Sequence, residues 1–264
     1  MKKFLIIPSL LLLLSSFFIS ACLNSDKNTT MKSPAQANTD STTQTKQKET
    51  GENEEKENDE KDKDENKSMA KQTNMVVGSD VNAKTIENMQ SAFKGETTAS
   101  AKYAAYSKQA EKDGFHQIAL LFKAASTAEN IHANNHKAVL QESGIAVPTI
   151  NPEFIVKSTK ENLEDAIKGE SYEVATMYPE FLITANEAGN QLALISLNYA
   201  YKTEKKHKVM YETALTALQN NTVNTLPTVF YVCSTCGNTY ETKAPSRCGI
   251  SMTSSDKFIK ITSI

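Results

Sequence analysis

The chain has no tryptophan and no excess charge of either sign: 29 basic and 31 acidic residues leave a net charge of −2 over 264 residues. That balance excludes a global field favouring nucleic acid, and no basic-aromatic stretch reads as a nucleic-acid surface. Glycine and proline are scarce, nine and seven in all, and they are sparse where helical periodicity runs, so little there interrupts a long helix. Cysteine is scarce too. A lone Cys22 stands apart from a C-terminal group of Cys233, Cys236 and Cys248, a division that points to two unrelated roles.

The chain opens on a basic Met1-Lys2-Lys3 and an apolar run over residues 4–20, closing in Ile19-Ser20-Ala21-Cys22. Basic n-region, apolar h-region and small residues before a cysteine resemble the lipobox of bacterial lipoproteins. The resemblance implies a signal peptide over residues 1–22, lipidation of Cys22, export, and an acyl anchor on a membrane of the cell envelope. An uncleaved anchor is the alternative, for which the run is slightly short and is broken by Pro8. Residues 23–78 are polar and charged, most of all at 51–67, with almost no large apolar side chain before about Asn74. Such a segment cannot bury enough surface to offset its ordering entropy and is predicted to be a disordered tether.

Helical periodicity runs from about Thr85 to Asn220, within a predicted globular unit at 79–222. Asp113-Gly114, Gly144 with Pro148, Gly189 and Asn220-Asn221 cut it into four helices. Ser158-Thr159-Lys160-Glu161 is a capping-box sequence that opens the third. The segment between Gly144 and Ser158 is long enough to cross along a bundle. The two helix pairs also match each other. Lys94-Gly95-Glu96 parallels Lys168-Gly169-Glu170, and His116-Gln117-Ile118-Ala119-Leu120 parallels Asn190-Gln191-Leu192-Ala193-Leu194. Glu129-x-x-His132 parallels Glu204-x-x-His207, so the body is an internal repeat of about 75 residues, each unit a helical hairpin.

On a helix, positions i and i+3 share a face, so each Glu-x-x-His points a carboxylate and an imidazole the same way. Phe122 and Leu197 lie two turns before Glu129 and Glu204 on those faces, Glu96 shares a face with Tyr103, and Glu170 shares one with Glu173. All four helices therefore turn carboxylates inward, with no matching set of inward Lys or Arg. A single such Glu is more often solvated than buried. The duplicated set instead asks for a cation, because unpaired buried carboxylates are very costly.

Ala92-Phe93-Lys94-Gly95-Glu96, Asp113-Gly114-Phe115, Glu129-x-x-His132, Gly169-Glu170-x-x-Glu173, Met177-Tyr178-Pro179 and Glu204-x-x-His207 together resemble the rubrerythrin family. The resemblance implies a mainly α fold: a ferritin-like four-helix bundle of two duplicated hairpins with a crossover, plus a small rubredoxin-like C-terminal domain. It implies a di-iron site whose ligands are Glu96, Glu129, Glu170, Glu173, Glu204 and His207. Glu129 and Glu204 bridge the irons, and His132 exchanges with Glu173 on reduction. Tyr103 and Tyr178 match tyrosines that hydrogen-bond to site carboxylates. The implied activity is a non-haem peroxidase turning hydrogen peroxide into water with electrons from an unidentified donor, in a homodimer where one subunit's cysteine site lies near the other's irons. A ferritin-like protein that oxidises or holds iron is the alternative, and a scaffold without turnover is the third reading.

In the predicted domain at 228–264, Cys233-x-x-Cys236 and Cys248-x-x-Ser251 have the spacing of two metal knuckles, but the fourth position is serine. A hydroxyl is a weaker ligand than a thiolate unless the metal deprotonates it. Four outcomes stay open here: an iron site with altered potential, a zinc site without electron transfer, an empty fold, and a disulfide from Cys233 to Cys236 or Cys248.

Overall fold

Two helical hairpins carry the body of the protein in the computed structural model, which describes residues 61–264, with side chains from residue 79 onward. Helices α1 (Lys61–Lys112) and α2 (His116–Glu142) make the first hairpin. The second is α3 (Thr159–Tyr172), a π-helical turn at Glu173–Met177, α4 (Tyr178–Glu187) and then α5 (Gln191–Gln219). Signal segment, Cys22 and the tether up to residue 60 lie outside the described residues. Among the described residues, no helix is long and apolar enough to cross a membrane.

Two boundaries differ from the sequence reading. Helix α1 reaches back to Lys61, into the segment predicted as tether. Residues 61–77 contain neither glycine nor proline and are rich in Lys, Asp and Glu, so nothing local stops the helix once its downstream part is fixed by packing. The third helix is not continuous α-helix. Pro179 has no N–H for the carbonyl one turn before it, and its ring crowds that carbonyl. The π turn at Glu173–Met177 absorbs the misfit just upstream.

The other punctuation falls where the sequence put it. Gly114 and Gly189 end α1 and α4 with φ of +84° and +65°, the left-handed conformation that glycine adopts without a Cβ penalty. Ser158 and Glu161 form the capping box, each side chain bonded to the other's backbone N–H. Residues 145–158 run without regular structure between the hairpins, as a crossover does.

Two apolar clusters fill the bundle. One gathers Leu163 with Tyr103, Tyr106, Phe122 and Tyr211, four aromatic residues whose rings meet at tilted and edge-on angles. The other gathers Met89, Phe93, Leu140, Tyr178 and Leu197. On every helix the inward acids fall in sequence between the members of one cluster and those of the other. The carboxylates thus occupy a middle layer sealed at both ends by hydrocarbon.

The C-terminal unit is a three-stranded antiparallel sheet in the order β2-β1-β3, from β1 (Phe230–Cys233), β2 (Thr239–Glu241) and β3 (Phe258–Ile261). Tyr231 sits opposite Tyr240 on one side and Lys260 on the other. Phe230, Val232 and Ile261 join the Tyr103–Phe122 cluster, so this chain's sheet packs on this chain's bundle.

Candidate metal centre

Glu96 on α1, Glu129 and His132 on α2, Glu170 on α3, and Glu204 and His207 on α5 converge in the middle layer. They form two overlapping groups, Glu96–Glu129–His132–Glu204 and Glu129–Glu170–Glu204–His207, each with one atom per residue lying within 4.8 Å of the others. All six are at most 1% exposed. Glu129 and Glu204 belong to both groups, the placement that bridging carboxylates need.

The imidazoles are the only cationic partners these acids have among the described residues. His132 Nδ1 lies 2.9 Å from an oxygen of Glu129 and 2.9 Å from one of Glu204. His207 Nδ1 lies 2.8 Å from Glu204 and 3.1 Å from Glu129. Four carboxylates against two imidazoles leave a negative excess even with both rings protonated. Burial, reinforced by the charge of Glu129, pushes the Glu96 carboxyl up to about 8, and burial with the Glu204 charge pushes Glu170 well above its usual range. Glu129 behaves oppositely: burial opposes its ionisation, but the charges of His207 and His132 and the hydrogen bond from His132 hold it down to about 2. Burial opposes protonation of His207 as well, yet Glu129 and Glu204 raise it to about 9. These opposed shifts are what a cation site shows when the protein alone must satisfy its charges.

Buried atoms without partners make the same point. Oε2 of Glu96 and Oε2 of Glu170 have no partner at all among the described residues, while Oε1 of Glu129, both oxygens of Glu204 and Nδ1 of His207 have only the ion-pair contacts just given, without hydrogen-bond geometry. Orphaned buried acceptors are rare because each costs about 1–3 kcal/mol. Oxygen and imidazole donors aimed into a dry layer fit iron or manganese better than soft metals, and two overlapping sets fit two ions.

The second nitrogen of each histidine is fixed from the C-terminal unit. His132 Nε2 donates to the Cys236 carbonyl at 3.0 Å, and His207 Nε2 meets the Thr239 hydroxyl at 2.9 Å. Such contacts select the tautomer that turns Nδ1 toward the acids. Gly237 makes this close approach possible: it has φ of +74°, and a Cβ there would collide with the His132 ring. The resemblance implies the cysteine site of one subunit near the irons of another, whereas here both partners of this contact belong to one chain.

Glu173 stands outside both groups. It begins the π turn, and although the residue as a whole is half-buried, its carboxyl is pushed well up by burial and by the charges of Glu96, Glu204 and Glu129. His132, expected to wait for reduction, is the residue found inside the first group. Tyr103 donates to Glu170 at 2.8 Å, and Tyr178 donates to Glu96. Sequence reasoning missed His136 and Tyr211, both fully buried. His136 lies one turn beyond His132 and Tyr211 one turn beyond His207, so the i+4 spacing was the available signal. Burial, with the His132 charge, lowers His136 to about 3 and keeps it neutral.

At the other centre, Cys233, Cys236 and Cys248 are buried free thiols, which removes the disulfide reading for this structure. Their sulfurs lie within 4.8 Å of one another, with Cys236 and Cys248 3.4 Å apart. Ser251 Oγ is 3.3 Å from Cys233 Sγ and 2.8 Å from Thr253 Oγ1. Tetrahedral metal–sulfur and metal–oxygen bonds give ligand–ligand edges of about 3.5–3.8 Å, so three sulfurs and this hydroxyl outline a slightly contracted metal cage. The Cys236 hydrogen bond, against the effect of burial, lowers the Cys233 thiol to about 4.

The family model described as Rubrerythrin matches residues 87–215. Rubrerythrin-2 of Clostridium acetobutylicum is 33% identical over 179 residues, spanning 67% of this chain and 96% of the relative. Nigerythrin of Nitratidesulfovibrio vulgaris is 33% identical over 193 residues, spanning 72% of this chain and 91% of the relative. A solved structure of nigerythrin in its fully reduced, all-ferrous state aligns at a TM-score of 0.60 with 33% identity, over 67% of this chain and 86% of that one. Bacterioferritin of Desulfovibrio desulfuricans aligns at 0.51 with 21% identity and shares the fold.

Proposed function

The chain belongs to the rubrerythrin family, and from that premise we propose that it is a di-iron peroxidase that reduces hydrogen peroxide to water at the cell envelope. The observation that carries the proposal is the pair of overlapping carboxylate–imidazole groups with their orphaned, inward-facing oxygens. Two ferrous ions held there would supply the two electrons needed to cleave a peroxide O–O bond. Glu96 and His132 would hold one, Glu170 and His207 the other, and Glu129 and Glu204 both.

The remaining side chains set the conditions for that chemistry. The hydrocarbon layers on either side exclude bulk water, which strengthens each charge interaction within the site. Tyr103 and Tyr178 each occupy one oxygen of Glu170 and Glu96, leaving the other oxygen free to ligate. Cys236 and Thr239 hold the imidazoles in the ligating tautomer. Glu173, near the site and outside both groups, is placed to enter or leave as the site's charge changes.

The contact between His132 and the Cys236 carbonyl supports a short route for electrons from the cysteine centre, if iron fills it. The N-terminal lipobox pattern supports export and tethering at Cys22, for which labelled palmitate should be incorporated by the wild type and not by Cys22→Ala. A homodimer is part of the proposal by family likeness, and the ultimate electron donor must reach the envelope. The activity itself is tested by mixing the iron-loaded, reduced protein with peroxide or dioxygen under stopped flow. Faster reoxidation by peroxide is expected. Preference for dioxygen would turn the reading toward iron oxidation and storage.

A further inference from the structure

His136 is a buried imidazole that neither metal group uses, and its two nitrogens are both engaged. Nδ1 lies 2.7 Å from Ser196 Oγ on α5, and Nε2 lies 3.3 Å from the Tyr178 hydroxyl. Tyr178 in turn donates to Glu96, a member of the first metal group. Ser196 is 4% exposed and lines a surface cavity of about 180 Å³ with Asn135, Val139, Leu192, Ile195 and Tyr199. One continuous string of hydrogen bonds therefore links a solvent-facing cavity to a carboxylate of the site.

The direction of the string follows from counting hydrogens. The tyrosine has one O–H, and Glu96 receives it. His136 Nε2 can then be bonded to that oxygen only as an N–H donor. A neutral imidazole carries one proton, so Nδ1 is bare and accepts from the Ser196 hydroxyl. All three donors point inward.

We propose that Ser196, His136 and Tyr178 form a proton-conducting chain from this cavity to Glu96, a role that rests on the peroxidase reading, where each peroxide consumes two protons. In one transfer the Tyr178 O–H breaks as an O–H forms on Glu96. The His136 Nε2–H breaks as the tyrosine is restored, the Ser196 O–H breaks as Nδ1–H forms, and water in the cavity reprotonates the serine. One proton enters at the cavity and one reaches Glu96 for the water being formed. The three side chains end neutral with His136 in its Nδ1–H form, which must return to the Nε2–H form before a second proton follows. The inward polarity matters because a string of mixed direction conducts nothing without first reorienting.

Two measurements test the chain. Imidazole ¹⁵N shifts in the full-length, metal-free protein should show His136 protonated at Nε2 and bare at Nδ1, with the Nδ1 signal moving in Ser196→Ala. In the iron-loaded, reduced protein, Ser196→Ala and His136→Gln should keep two irons in the bundle. Both should slow reoxidation by peroxide about a hundredfold, the low end of what a positioned proton donor contributes, and change the solvent deuterium isotope effect, while Ser196→Thr should restore both. An imidazole protonated at Nδ1, or a Ser196→Ala variant with unchanged rate and isotope effect, overturns the relay. A wild-type protein inert to peroxide would overturn the peroxidase reading instead, and the nitrogen shifts would still decide the polarity of the chain.

Discussion

At the scale of single residues, the two histidines of the repeated Glu-x-x-His pattern are held alike, and the proposed chemistry gives them different roles. His207 is tied through Thr239 within the second group. His132 shares its side of the site with Glu173, which waits on the π turn. His132→Ala should therefore still load two irons in the oxidised protein, with Glu173 in its place, but lose at least tenfold in peroxide rate. Loss of one iron would show instead that His132 is a standing ligand. Gly237→Ala tests the contact from the other side. Its Cβ has no room beside the His132 ring, so the variant should release the cysteine unit locally and slow electron delivery while leaving the iron content of the bundle unchanged. At the C-terminal centre, Ser251→Cys should complete a four-thiolate iron site with a stronger visible spectrum, and turnover with an external donor should rise. Unchanged turnover would remove that centre from the electron route.

At the scale of elements, the repeat explains why so much was legible beforehand. Apolar periodicity, Gly114 and Gly189 as helix stops, and the Ser158–Glu161 box all act within one or two helical turns, so sequence displays them directly. Ser158→Ala should cost about 1 kcal/mol in chemical unfolding, with iron binding unaffected, because the cap is exposed and remote from the acids. The π turn was not legible, because Pro179 announces a local misfit without saying whether the chain kinks, breaks or widens. Helix α1 upstream of Thr85 was missed for a related reason: charged residues without an apolar stripe look like tether, and pattern alone does not reveal where a well-anchored helix frays. His136 escaped because a lone imidazole one turn past a ligand carries no signature until Ser196 and Tyr178, distant in sequence, close around it.

At the scale of the whole molecule, the metal layer and the fold oppose each other until cations arrive. In the metal-free protein Glu96 is raised from 4.5 to about 8 and His207 from 6.5 to about 9. Each group then holds its proton more tightly when folded than when unfolded, so stability falls as pH rises from about 4.5 toward 9. Glu129, lowered to about 2, withdraws stability only below 4.5. His136 at about 3 and Cys233 at about 4 add stability as pH rises toward 6.5 and 9, whereas His132, Glu170 and Glu173, all pushed well up, add to the fall and outnumber them. The metal-free protein should therefore melt lower at pH 9 than at pH 5, by about 4 °C or more. Iron-loaded protein should not follow that fall, because metal replaces the protons and its affinity rises with pH. A melting temperature that rises from pH 5 to 9 without metal would mean that the acids are not the unsatisfied layer described above.

The most direct measurement for the central claim is an anaerobic titration of the reduced, iron-loaded protein with hydrogen peroxide, followed by the oxidation state of the bundle iron. A two-electron site predicts a sharp endpoint at one peroxide per pair of ferrous ions, with water as the product and no peroxide left below it. Ferrous iron that persists through excess peroxide, or an endpoint that does not track the paired iron, would contradict it.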